Sequence, residues 1–179
     1  MTESAPLDRQ TMHEEMERAR ATFHRLLGEA STADLHRLSS GTRWTNEQLL
    51  YHMVFGYLVV RTLLPLVRAF GHLPDGFSRR FAWVLNSATR PFHLVNYLGS
   101  CGGPLVFRGS RMAALLDRTI ASLHRRLDAE TDSALGRGMH FPLGWDPLFR
   151  QTMTLAEVYH YATQHFDLHE KQLSLGSVG

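Results

Sequence analysis

Two histidines one helical turn apart, in His165-Phe-Asp-Leu-His169, carry the strongest chemical signal in this chain. Side chains at i and i+4 share a helix face, so both imidazoles can address a single metal ion. The surrounding segment, Glu157 to Leu175, has the pattern of a long terminal helix. Thr154-Leu-Ala-Glu157 ahead of it is a capping box, with a hydroxyl for orphan amides and a glutamate that reaches back. The cap sets the helical phase. Leu155, Val158, Tyr159, Ala162, Phe166 and Leu173 then form one apolar stripe, with His165 and His169 toward one edge of it and His160 opposite. Imidazoles facing a core need partners, because buried polar groups left unpaired cost free energy. A metal is one such partner; carbonyls or water are the alternative.

A metal site needs a third ligand, and His52 is the best placed. Trp44 leads into a second capping box, Thr45-Asn-Glu-Gln48, which opens a helix with Leu49, His52, Met53, Gly56, Val59, Val60 and Leu63 on one face. Gly56, one turn beyond His52, removes a side chain where a helix or ligand could come close. Bundles build metal sites from inward-facing side chains on adjacent helices. Three neutral imidazoles with coordination left open describe a catalytic rather than a closed structural site. Zinc is the first expectation, with nickel or iron(II) compatible, because nitrogen ligands discriminate weakly. His13, His24, His72, His93, His124, His140 and His160 compete for the role. His124 is expected on a solvated face and His140 above the bundle, behind the ligands or toward substrate. Asp167 and Glu170 are expected in solvent, and a carboxylate could replace one histidine.

The elements that must position these residues are helical. Met12, Met16, Ala19, Phe23 and Leu26 or Leu27 recur at helical steps from about Leu7 to Gly28, and a short turn follows over Ala33 to Leu38. The helix after Thr45 is apolar nearly all round, so it is either central or covered by a second subunit; Pro65 permits a kink in it. Phe77 to about Leu98 reads as a helical pair broken near Thr89-Arg-Pro91, and Gly99 to Pro104 as a flexible turn. Ser110 to about Glu130 is the next amphipathic helix. Ala129 to Pro147 is a long connection whose Met139–Pro147 portion is apolar enough to pack over one mouth of the bundle. Strand signal is nearly absent. The expected fold is all-α: a four-helix bundle with extra short helices in its crossover connections, one domain over 1–179 with flexible tails at 1–6 and 176–179.

Composition narrows the function classes. Of the 179 residues, 44% are hydrophobic and 20% charged, and the formal charge of +2 gives no basic surface for nucleic acid. Leu49 to Val67 contains His52, Arg61 and Pro65 and is read as a buried helix, not a membrane span. The single cysteine, Cys101, excludes an internal disulfide and suits a reducing compartment; it has no basic cluster or second cysteine nearby, so it is read as structural or incidental. No charged-then-apolar leader pattern opens the chain, and a cytoplasmic location is expected.

Two motifs in this order resemble the DinB-like superfamily of bacterial helical bundles. They are Trp44-Thr-Asn-Glu-Gln-Leu-Leu-Tyr-His52 before a long apolar helix and His165-Phe-Asp-Leu-His169-Glu-Lys-Gln-Leu173 at the end, with Trp145-Asp-Pro leading in. The resemblance covers most of the chain, except that Phe77 to Pro104 matches no characterised branch. It implies a four-helix bundle, often dimeric, with a metal held by one histidine of the second helix and two of the last, here His52, His165 and His169. It also implies kinship with enzymes that use low-molecular-weight thiols, such as mycothiol-dependent maleylpyruvate isomerase and bacillithiol transferases. The expectation is a metal-dependent enzyme, a thiol-dependent S-transferase or isomerase or a hydrolase, acting on a small molecule as a homodimer. The alternative is a non-catalytic, stress-associated metal-binding bundle.

Overall fold

The computed structural model describes residues 8–176, so the expected tail at 1–6 and all but the first residue of that at 176–179 lie outside the described residues. The elements run α1 (Arg9–Glu29), α2 (Thr32–His36), α3 (Asn46–Phe70), α4 (Asp75–Ser87), α5 (Thr89–Val106), α6 (Ser110–Asp128), α7 (Asp132–Leu135), β1 (Gly138–His140), β2 (Thr152–Thr154) and α8 (Leu155–Glu170). The fold is all-α. Around the bundle, α1 packs on α6, α6 on α3, α3 on α8 and α8 on α1. The core between them is built from Met12, Met16 and Phe23 of α1, Leu50, Met53 and Tyr57 of α3, Leu116 and Ile120 of α6, and Val158 and Phe166 of α8. Each set repeats at three- and four-residue steps, which is why the sequence pattern identifies these helices.

Both capping boxes form. Thr45 accepts from the Gln48 amide at 3.3 Å while Gln48 Oε1 accepts from the Thr45 amide at 3.0 Å. Thr154 and Glu157 do the same at 3.2 and 2.7 Å. With its phase set this way, α3 is buried on nearly every side between Leu49 and Tyr57, enclosed by α8, α5 and α6. Over that stretch its apolar side chains are covered within one chain, while Leu66 farther along is exposed. By length and composition α3 is also apolar enough to cross a membrane, the only such helix among the described residues. It runs unbroken through Pro65, which removes the amide that would bond the Arg61 carbonyl. Arg126 of α6 donates to that carbonyl at 2.9 Å instead.

Three expectations are corrected. Gly99 to Pro104 is not a flexible turn but the last part of α5. Gly103 serves packing: a Cβ there would run into the Tyr51 ring, so α5 can lie close on α3 only because the side chain is missing. The terminal helix stops at Glu170 rather than Leu175. Beyond it the chain folds back on the start of α3, where Asn46 accepts from the Ser174 amide at 3.0 Å and Ser40 donates its amide to the Gln172 carbonyl at 2.7 Å. A short antiparallel pair, Met139 opposite Met153, also appears where almost no strand was expected. It closes the base of the connecting loop 141–151 and so fixes where Trp145 and Asp146 sit.

The helical pair α4–α5, broken at Ala88, packs against α3 outside the four-helix ring. Its inner face carries Phe81 and Phe92 toward the bundle, while Trp83, Val95, Leu98 and Leu105 stay exposed.

Candidate metal centre

α3 and α8 bring His52, His165 and His169 together. The ring centroids are 4.9 Å apart for His52 and His165, 4.6 Å for His52 and His169, and 4.5 Å for His165 and His169. One nitrogen from each ring lies within 4.8 Å of the others, making a group that could hold a metal ion. His52 and His165 are buried, and His169 is half-buried at the rim. Trp44 covers the group, its ring 4.5 Å from that of His52.

The hydrogen bonds select which nitrogen each ring offers. Ser100 of α5 donates its hydroxyl proton to the Asn96 carbonyl at 2.9 Å, so its oxygen accepts at 3.0 Å from His52 Nδ1–H. His169 Nδ1–H donates to Gln172 Oε1 at 2.7 Å. Both rings are thereby held as the tautomer with a free lone pair on Nε2, the form in which a second partner orients a metal-binding imidazole. The Gln172 contact depends on α8 ending at Glu170, which lets Gln172 turn back. His165 Nδ1 is buried without a hydrogen-bond partner, packed on Gly56, where a Cβ would lie 2.5 Å from it.

Two polar side chains that the sequence reading did not single out border the group. Asp146 Oδ2 lies 3.9 Å from His165 Nε2, too far for a hydrogen bond, and accepts from the Tyr161 hydroxyl at 2.8 Å. Asp146 Oδ1 accepts from the Leu148 amide at 2.8 Å, so the carboxylate is held at both oxygens. Tyr161 precedes His165 by one helical turn, and that spacing was the available signal for it. Asp146 comes from the loop and had no such signal beyond its place in Trp145-Asp-Pro.

The competing histidines serve the scaffold. His140 is buried and neither lines the site nor faces the triad; it bonds Asp75 at 3.0 Å, tying β1 to α4. His124 is not solvated but joins α6 to α1 through Glu17 at 2.7 Å and through His13. His160 bonds Glu15 at 2.7 Å. Asp167 is half-buried and pairs with both terminal nitrogens of Arg18 at 2.9–3.0 Å, binding α8 to α1; Glu170 lies 3.8 Å from Arg25.

Burial sets the charge state of the triad. Desolvation and then the neighbouring His169 push His52 down to about 3, and desolvation holds His165 well below its ordinary 6.5. Both are neutral when folded, as metal ligands must be. The unfolded chain takes up protons at these positions once the pH falls below about 6.5, and the folded chain does not, so stability decreases as the pH drops. The metal-free protein should lose about 2 kcal/mol at each of the two positions, about 4 kcal/mol in all, between pH 7.5 and 5.0. Urea unfolding at the two pH values measures this, and an unchanged midpoint would contradict neutral buried imidazoles.

The donor set fits a divalent cation: neutral nitrogens, two of them oriented from behind, one buried without a partner, and a carboxylate alongside. Beside it opens a cavity of about 230 Å³ that touches His52, His165, Asp146 and Tyr161. No curated protein and no solved structure matches the chain. A family model described as the DinB superfamily does match, over residues 15–173, a span that takes in all three histidines, and on that match the chain belongs to the DinB superfamily.

Proposed function

We propose that this protein is a metal-dependent enzyme in which His52, His165 and His169 hold a divalent cation, zinc first among the candidates, to activate a thiol or a water. The cation would supply acidification of a coordinated thiol or water, so that a nucleophile exists at neutral pH. The chain supplies the rest. Ser100 and Gln172 orient two of the imidazoles. Asp146 Oδ2, fixed by Tyr161, can receive the proton that the nucleophile gives up. Trp44 and the apolar walls exclude bulk water, which strengthens every charge interaction inside.

The observation that carries this reading is a cavity opening onto His52 and His165, which gives a small molecule room beside the histidines. Within the enzymatic reading, a thiol-dependent S-transferase or isomerase of the cytoplasm is preferred on the sequence resemblance. The test is turnover of a panel of electrophiles with low-molecular-weight thiols, on zinc-, nickel- and iron-loaded protein. Product should form with metal and vanish with chelator. A panel in which no electrophile is consumed faster with metal than without would favour the non-catalytic alternative.

A further inference from the structure

The cavity beside the histidines has a chemical character that points to its occupant. Its walls are apolar: Phe55, Val59 and Leu63 from α3, Phe81 from α4, and Phe141 and Phe149 from the loop. Its polar lining residues, His52, His165, Asp146, Tyr161 and Asn96, include no arginine or lysine. A carboxylate or phosphate placed deep in it would lose its hydration with no cationic side chain in return. A dicarboxylate such as maleylpyruvate is therefore a poor match to these walls. At about 230 Å³ the cavity is smaller than the roughly 300–1,000 Å³ typical of drug-sized pockets.

The walls are also built in advance. Trp145 stacks on Phe92 with centroids 4.0 Å apart and planes within 9°. Trp145 Nε1–H donates to the Leu85 carbonyl at 2.8 Å, and the Gly144 amide donates to Asn86 Oδ1 at 3.0 Å. His93 Nε2–H donates to the Gly144 carbonyl at 3.0 Å. These bonds pin the loop to α4 and α5, so the apolar surface stands ready without a folding step on binding.

We propose that this chamber binds the body of a compact, uncharged hydrophobic substrate, aromatic or short-chain aliphatic, with its reacting polar group directed at His52, His165 and Asp146. The substrate class rests on the enzymatic reading above, but occupancy of the chamber can be measured without it. The first arm uses metal-free protein with 1-hexanol and benzyl alcohol, followed by saturation-transfer NMR and by tryptophan fluorescence. Both alcohols should bind, and hexanoate should bind at least tenfold more weakly than 1-hexanol. Leu63→Trp, which fills the chamber, should abolish binding. Leu66→Trp at the more exposed wall should weaken it and guards against a folding failure of the first variant.

The second arm uses zinc-loaded protein and linear hydroxamates from acetohydroxamate to hexanohydroxamate. Affinity should rise about fourfold per added methylene, the value for moving a methylene out of water, and the rise should flatten in Leu63→Trp while zinc affinity stays unchanged. Equal binding of hexanoate and 1-hexanol, or alcohol binding that both tryptophan variants leave intact, overturns the chamber assignment. Failure of the wild-type protein to bind zinc overturns the metal reading alone, because the alcohol arm does not depend on it.

Discussion

Replacing His52 with alanine should lower zinc affinity by about a thousandfold or more, and His169→Ala should do the same. Losing a group that merely orients a ligand costs roughly 10–100-fold in metal affinity, and losing the ligand itself costs more. Ser100→Ala provides the graded control. It leaves all three rings in place and removes only the acceptor behind His52 Nδ1, so its loss should fall near tenfold. His169 sits at the rim, where truncation disturbs the core little, so its variant should melt within a few degrees of the parent. Competition titration against a zinc-binding dye, with thermal melts alongside, separates ligand loss from unfolding. Wild-type-like affinity in both alanine variants would show that the three imidazoles do not share an ion.

Gly56→Ala should weaken zinc binding by about 10–100-fold and destabilise the protein, although alanine is the better helix former. In an exposed helix interior the change would gain about 1 kcal/mol. Here the added Cβ would sit 2.5 Å from His165 Nδ1 and 2.9 Å from Cε1, closer than real carbon contacts allow. Overpacking of this kind costs about 1–3 kcal/mol. The ring belongs to a buried side chain on the neighbouring helix and can relieve the clash only by swinging away from His52 and His169. Urea unfolding and the same dye competition read both effects. A stabilised variant with unchanged zinc affinity would mean that His165 has another resting position compatible with the site.

The histidine triad was legible because each member lies on a helix whose phase a capping box announces. Thr45 and Thr154 each start a helix with a hydroxyl and a glutamine or glutamate three residues on, and apolar periodicity does the rest. Gly56 was legible as a place of close approach, though not that His165 is what approaches. The partners behind the imidazoles were not legible. Ser100 reaches His52 across 48 positions, from a segment that reads locally as a glycine-rich turn and becomes helix because α5 can lie on α3 over Gly103. Gln172 would point elsewhere if α8 continued to Leu175; Asn46, far away in sequence, holds the Ser174 backbone out of the helix. His140 and His124 show the same limit from the other side. Their roles depend on Asp75 and Glu17, carboxylates whose proximity no local pattern encodes.

The amino-acid order by itself determined what is periodic: four amphipathic helices, the caps of α3 and α8, and the face on which His52, His165 and His169 fall. Those properties arise from interactions within four residues along the chain, so a linear string contains them. Tertiary packing alone decided which nitrogen of His52 and of His169 carries the proton, that Asp146 borders the group, and that α4, α5 and the loop 141–151 enclose an apolar chamber beside it. Hydrogen-bond tautomers and cavities are set by distances between segments, and those distances exist only once the helices have packed.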